Sequence, residues 1–417
     1  MKKSYILLFF VLALGFIALS CSKEEQAPWR NPIPATADQT IMIYLTGTDL
    51  RSYYNENIQA AMKVIDRDIL HDSRILVFLE PKRGEGAVLE LFYSPQEGRC
   101  VADTLKRWSQ NGFSSMESGT VSQILSFMGE QAPAERYGLI IGAHGFGWVP
   151  ENAPINNAMQ SGIQIDPKIV QLPNGPLPTR WVGDPGRRCE TNELGRAIGN
   201  SGIHFDYLIF DACFMSSIEA LYDLRACADN IIASPTEIMA PGFPYDMILP
   251  SLLTDQGTHY DLDEICQKYY DYYAQEYAVP SGCIAQTVCS ELDALAEIVK
   301  QIEQNRTMDP ELSLLQPYEG LWAHFFFDLS DYIHAICNDQ ALLDEFDRQM
   351  GRTFPVRNRL HTPWFYSYYG GNGDESAPGP YPAYMNRITS YCGVSTSAPA
   401  QRVAAEWTQT AWYLTTH

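Results

Sequence analysis

The 417-residue sequence predicts an α/β fold with a largely parallel central sheet. Three observations carry this. Short apolar runs of strand length recur ahead of stretches with helical periodicity. Two of those runs, residues 138–143 and 207–210, each end at a residue able to do chemistry, His144 and Cys213. Apolar residues make up 46% of the chain, with 24 tyrosines, which is ample for a large core.

Taken in order, Lys2 and Lys3 precede an apolar run over residues 6–19, too short for a comfortable membrane span. The run ends at Ala18-Leu19-Ser20-Cys21 and turns polar at once, which resembles a bacterial lipoprotein signal. Residues 1–20 are therefore expected to be the signal, with Cys21 the lipidated residue. The proline-bearing stretch 21–38 is then a tether from the membrane. An ordinary secretory signal would instead release the product. The acidic residues after Cys21 resemble export signals for the outer surface. The expected location is thus the cell envelope, at the outer membrane or cell surface.

The main unit is expected over residues 39–305. Residues 40–45 (TIMIYL) read as a strand, 55–65 as a helix with Ile58, Ala61, Met62 and Ile65 on one face, and 73–79 as a second strand. The alternating stretch 86–93 pairs as a hairpin with 99–105. A helix over 118–128 leads to the histidine strand. Residues 151–188 break the pattern with six prolines and four glycines, too long for a compact connector. A helix from 192 returns to the cysteine strand. Residues 214–222 continue with helical spacing, which would put Cys213 at a helix N-terminus, where the dipole favours thiolate. A strand over 230–233, helices near 245–253 and 262–277, a strand over 282–288 and a helix over 291–305 follow. Beyond residue 306 the periodicity blurs.

The formal charge of −21 and a pI near 4.7 exclude binding to nucleic-acid backbones and suit basic peptides as partners. The ten cysteines are widely spaced and match no zinc pattern. Most are expected to be buried thiols. A Cys and a His leaving the carboxyl ends of two parallel strands would form a dyad in the crevice where open α/β sheets bind ligands. Alternation puts Asp211 on the same face as Cys213. Its alternative role is to cap the helix expected from Phe214.

The segments AHGFGW and FDACFM resemble the His-Gly and Asp-x-Cys blocks of the clostripain family of cysteine peptidases, within the wider caspase–gingipain–legumain group. YLTGTDLRSYYNENI resembles that family's opening block, FDLSDY its VDLYDF block, and CGVST its GLSIY-like block, although the continuation SAPA departs from the family's aromatic-Pro ending. The resemblance runs in order over residues 38–305, with weaker blocks to 400. It implies a caspase-like three-layer α/β/α sandwich in which 306–417 is an extension of the catalytic unit.

It further implies a cysteine endopeptidase. Cys213 would be the nucleophile, and His144 the acid for the leaving amine and the activator of the deacylating water. The backbone N–H groups of Gly145 and Cys213 would form the oxyanion hole. No third carboxylate is evident, and the family works with a dyad. Asp211 would help form an acidic pocket, with Glu237 or Asp246 as a second carboxylate, selecting Arg ahead of Lys. Processing between the His and Cys segments in the family implies self-cleavage after Arg180, Arg187 or Arg188, the alternative being an uncleaved surface loop. No cofactor is needed for this chemistry. The family also admits calcium, for which Asp103 or Asp261-Asp263-Glu264 are the candidate carboxylates. Two other readings stay open: a surface lipoprotein using the fold to bind peptide or glycan, and a legumain-like preference for Asn or Asp.

Overall fold

A computed structural model describes residues 33, 35–66, 68–109, 112–151, 177–180, 189–253, 260–321, 323–370, 373–374 and 376–417. The expected signal, most of the tether including Cys21, and Arg187 and Arg188 lie outside the described residues; the tether's last two residues, Ala37 and Asp38, belong to the first strand.

The apolar runs assemble into a nine-stranded sheet. Its centre is parallel: β7 (Ala228–Ala233), β6 (Phe205–Asp211), β5 (Ala134–Gly142), β1 (Ala37–Leu45) and β2 (Ser73–Lys82). Both edges are antiparallel. The hairpin β3 (Glu85–Ser94) and β4 (Arg99–Ser109) extends the β2 side, while β8 (Cys283–Val288), beside β7, and then β9 (Arg359–His361) close the other. The inner strands are buried on both faces, which is why they read as continuous apolar runs.

The chain leaves β1 in one direction, through α1 (Arg51–Val64) to β2. It then returns through α2 (Ser118–Gln131) to β5 on the other side of β1, and continues outward through α3 (Thr191–Asn200) to β6. Right-handed crossovers place helices of the two directions on opposite faces. The reversal of direction falls between β1 and β5, where an open sheet forms its ligand crevice. Register sharpens this. Leu45 lies opposite Gly142, and Gly142 opposite Asp211, so three loops leave the sheet at one level.

The helix expected from Phe214 starts later. α4 spans Ile218–Leu224, capped by the Ser217 hydroxyl, which accepts from the Ala220 N–H. Phe214 has φ 61°, a left-handed conformation that a right-handed helix cannot include. Its N–H donates to the Thr236 carbonyl, and its ring stacks on Phe326 and meets Phe146 edge-on. The second long helix also ends early: α6 covers Leu262–Asp271 and passes into a π turn at Tyr272–Glu276.

Past residue 306 the chain grips α4. Ser395 donates its N–H to the Ser216 carbonyl. The fully buried Glu219 accepts from the Ser397 N–H, the Thr396 hydroxyl and the Trp407 indole. All nine cysteines among the described residues are free thiols, and eight of them are buried.

Candidate functional site

Three loops meet beyond the ends of β1, β5 and β6. The β5 loop carries His144 and Gly145, the β6 loop Cys213, and the β1 loop Asp49. A methyl added at Gly145 would sit 2.4 Å from the Cys213 carbonyl oxygen. Only a residue without a side chain lets the two loops approach this closely. The Cys213 sulfur is wholly buried and accepts the Ile238 N–H at 3.1 Å. Burial pushes the thiol well above its ordinary range, and the nearby Glu237 adds to the effect. With α4 starting at Ile218, no helix dipole reaches Cys213 to offset this.

Beside the thiol lies a segment of the chain itself. Residues 178–180 run antiparallel to 238–240. The Arg180 N–H donates to the Ile238 carbonyl at 2.8 Å, and the Ala240 N–H donates to the Pro178 carbonyl at 3.0 Å. The Arg180 carbonyl in turn accepts the Gly145 N–H at 3.0 Å. Ile238 therefore holds the Cys213 sulfur with its N–H and the Arg180 backbone with its carbonyl.

The Arg180 side chain is fully buried. Its guanidinium pairs with Asp211 at 2.7 Å and donates to the Asp211 carbonyl, the Asn57 side chain and the carbonyls of Ala240 and Pro241. The Tyr54 ring lies against it. Burial raises the Asp211 carboxyl above its ordinary range, while the guanidinium, the Phe243 N–H and the Tyr245 hydroxyl act to keep it ionised. Gly242, at φ 73°, closes the wall: a methyl there would meet the guanidinium at 2.1 Å.

Of the two further carboxylates expected in this pocket, neither touches the guanidinium. Asp246 is exposed in the first turn of α5 (Tyr245–Leu252). Glu237 is buried one residue along, accepting from the Thr179 hydroxyl at 2.6 Å, the Ser367 hydroxyl and the Tyr368 N–H. Burial pushes its carboxyl up to about 7. Asn57 was not anticipated. Its only mark in the sequence is a polar residue on the inward face of α1, between Tyr54, Ile58 and Ala61. Asp49 was also missed: its carboxylate meets His144 Nε2 at 2.8 Å.

Among the described residues, no group of three or more His, Cys, Asp or Glu side chains is placed to hold a metal ion. Asp261 caps α6, Asp263 binds Asn358 and Arg357, and Glu264 pairs with Lys268.

The clostripain family model matches residues 179–332. A solved structure of a secreted C11 cysteine protease from Bacteroides thetaiotaomicron, "iotapain", is 32% identical, with a TM-score of 0.75, covering 92% of this chain and all of that one. An inactive zymogen of a C11 protease from Parabacteroides distasonis is 26% identical at TM-score 0.73, covering 93% of this chain and all of its own. A secreted C11 protease from B. thetaiotaomicron bound to an irreversible peptide inhibitor shares the fold at 22% identity and TM-score 0.72, over 91% of this chain and 98% of its own. No curated protein matches the chain.

Proposed function

Because the chain belongs to the clostripain family of cysteine peptidases, we propose that it is an endopeptidase cleaving after Arg, with Lys second, through His144 and Cys213. Its first substrate is its own Arg180–Trp181 bond. The observation that carries this reading is the seating of Arg180: side chain on Asp211, amide on Ile238, carbonyl on the Gly145 N–H. An extended peptide paired to a strand edge, with its last side chain in a charged pocket, is how a substrate would lie. His144 takes the thiol proton, the thiolate attacks the Arg180 carbonyl, and the oxyanion forms against the Gly145 N–H. The protonated imidazole then releases the amine of Trp181, and water displaces Arg180 from the sulfur. While Arg180 fills the pocket, no other Arg side chain can enter, so the uncut chain is latent.

Ion trapping of a basic side chain by a buried carboxylate disfavours the Asn or Asp preference. The signal and Cys21 fit an exported, lipid-anchored peptidase acting on proteins with basic residues outside the cytoplasm. Radiolabelled palmitate incorporation lost in Cys21→Ala tests the anchor.

Mass spectrometry of Arg180→Ala, Arg187→Ala and Arg188→Ala tests the processing site. Arg180→Ala should remain one chain and the other two should still be cut. A cut Arg180→Ala chain of wild-type pattern would sink the assignment. Turnover of Arg, Lys and Asn peptides, with and without calcium, tests the specificity. No turnover in any arm would favour a binding module.

The Thr179–Glu237 contact gives a finer expectation. The peptide Leu-Pro-Thr-Arg should be cut roughly 5- to 150-fold faster, as kcat/KM, than Leu-Pro-Val-Arg, because Val leaves a buried acceptor short of a donor at about 1–3 kcal/mol. Equal rates would show that Glu237 does not read this position.

A further inference from the structure

The imidazole of His144 is held on one side only. Its side chain is 9% exposed, and Nδ1 is buried without a hydrogen-bond partner among the described residues. Nε2 meets the Asp49 carboxylate at 2.8 Å. A carboxylate accepts only, so this contact requires the proton on Nε2 and leaves the Nδ1 lone pair free.

Asp49 sits in a fixed loop. The Thr46 N–H donates to the Gly142 carbonyl, tying the end of β1 to the end of the histidine strand. The Thr46 carbonyl accepts the Tyr54 hydroxyl from α1, and the Leu50 N–H closes a turn on Gly47. The carboxylate accepts from His144 and from the backbone N–H groups of Asp49 and Leu50, which holds it below its ordinary range and ionised. The placement follows from topology: β1 and β5 are the neighbours at which the sheet reverses direction, so their loops must meet.

We propose that Asp49 is the positioning residue for His144, fixing the Nε2–H tautomer and ring orientation so that Nδ1 exchanges protons with Cys213. The inference rests on the His144–Cys213 peptidase reading. The S–H bond breaks as its proton moves to Nδ1, giving thiolate and imidazolium. That proton leaves with the amine. A proton from the attacking water then reaches Nδ1 and is returned to the sulfur. Asp49 stabilises the imidazolium and is never itself protonated, so no other reactant is required. The other titratable groups lining the same cavity are Glu80, Glu151, Cys189 and Glu190. Their contribution is common to wild type and variants, so a difference between them reports on Asp49.

The test uses the full chain as wild type, Asp49→Asn, Asp49→Glu and His144→Ala, each cleaved in trans by wild-type enzyme that is then removed, so that Arg180 does not block the pocket of an inactive variant. Hydrolysis of a fluorogenic Arg peptide gives kcat and KM against pH. The rate of alkylation by iodoacetamide against pH, read at the Cys213 peptide by mass spectrometry because the other cysteines are also free thiols, reports thiolate formation at Cys213. Asp49→Asn is expected to lower kcat on the order of 100-fold with KM within about twofold, and to move thiolate formation to higher pH. Asp49→Glu is expected to recover part of the rate, with all variants melting together. Asp49→Asn with wild-type kcat and alkylation profile would overturn the role. So would loss of kcat with a lowered melting temperature and an unmoved alkylation profile. Full turnover in His144→Ala would instead overturn the dyad itself, a result distinguishable from either.

Discussion

Cys213→Ala should be recovered as one uncut chain that does not turn over an Arg peptide. Loss of an activated nucleophile costs on the order of 10⁴- to 10⁶-fold in kcat where such residues act as a unit. The structural cost is small by comparison. The sulfur is wholly buried and, among the described residues, makes two weak bonds, accepting the Ile238 N–H and donating to the Ile238 carbonyl, so the variant is expected to lose about 1–3 kcal/mol and melt a few degrees lower by calorimetry. Two causes of inactivity overlap, since the uncut chain also keeps Arg180 in the pocket. Cleaving the variant in trans with wild-type enzyme separates them. If the cut variant still fails to turn over peptide, the chemistry has been lost rather than access. Turnover by cut Cys213→Ala would disprove the nucleophile.

Most of this site was legible because its parts sit on strongly periodic elements. The apolar runs of β5 and β6 point to strands ending near His144 and Cys213, and parallel pairing then makes the two ends level. What failed was local. Residues 214–222 have helical spacing, yet Phe214 is held left-handed by packing on Phe146 and Phe326, partners distant in sequence. The thiol therefore lacks the helix terminus that spacing alone suggests. Asp49 and Asn57 escaped for a different reason. Each belongs to the β1 side of the sheet, and which strand lies beside β5 is a matter of topology, invisible until the order is known. Glu219 is similar: its three donors come from residues 396–407, a region where no periodicity survives.

Asp211→Asn should abolish cleavage after Arg more thoroughly than any other change outside the dyad. The pocket wholly buries a guanidinium, and among the described residues Asp211 is the carboxylate that pairs with it. Removing one partner of a buried pair typically costs about 3–5 kcal/mol, or roughly 10²- to 10⁴-fold in kcat/KM for an Arg peptide. The same variant tests self-processing. An uncompensated Arg180 would leave the pocket rather than remain buried, so the chain should stay uncut and become susceptible to an added protease near residue 180, while wild type is protected there before its own cut. The pocket also sets a pH dependence. Burial raises the Asp211 carboxyl even with the Arg180 guanidinium beside it, and a protonated carboxyl does not attract a guanidinium. KM for an Arg peptide should therefore rise as pH falls into that elevated range, and this rise should vanish in Asp211→Asn. Flat KM in wild type over the same range would mean that the pocket stays ionised when empty, held by the Phe243 N–H and the Tyr245 hydroxyl alone.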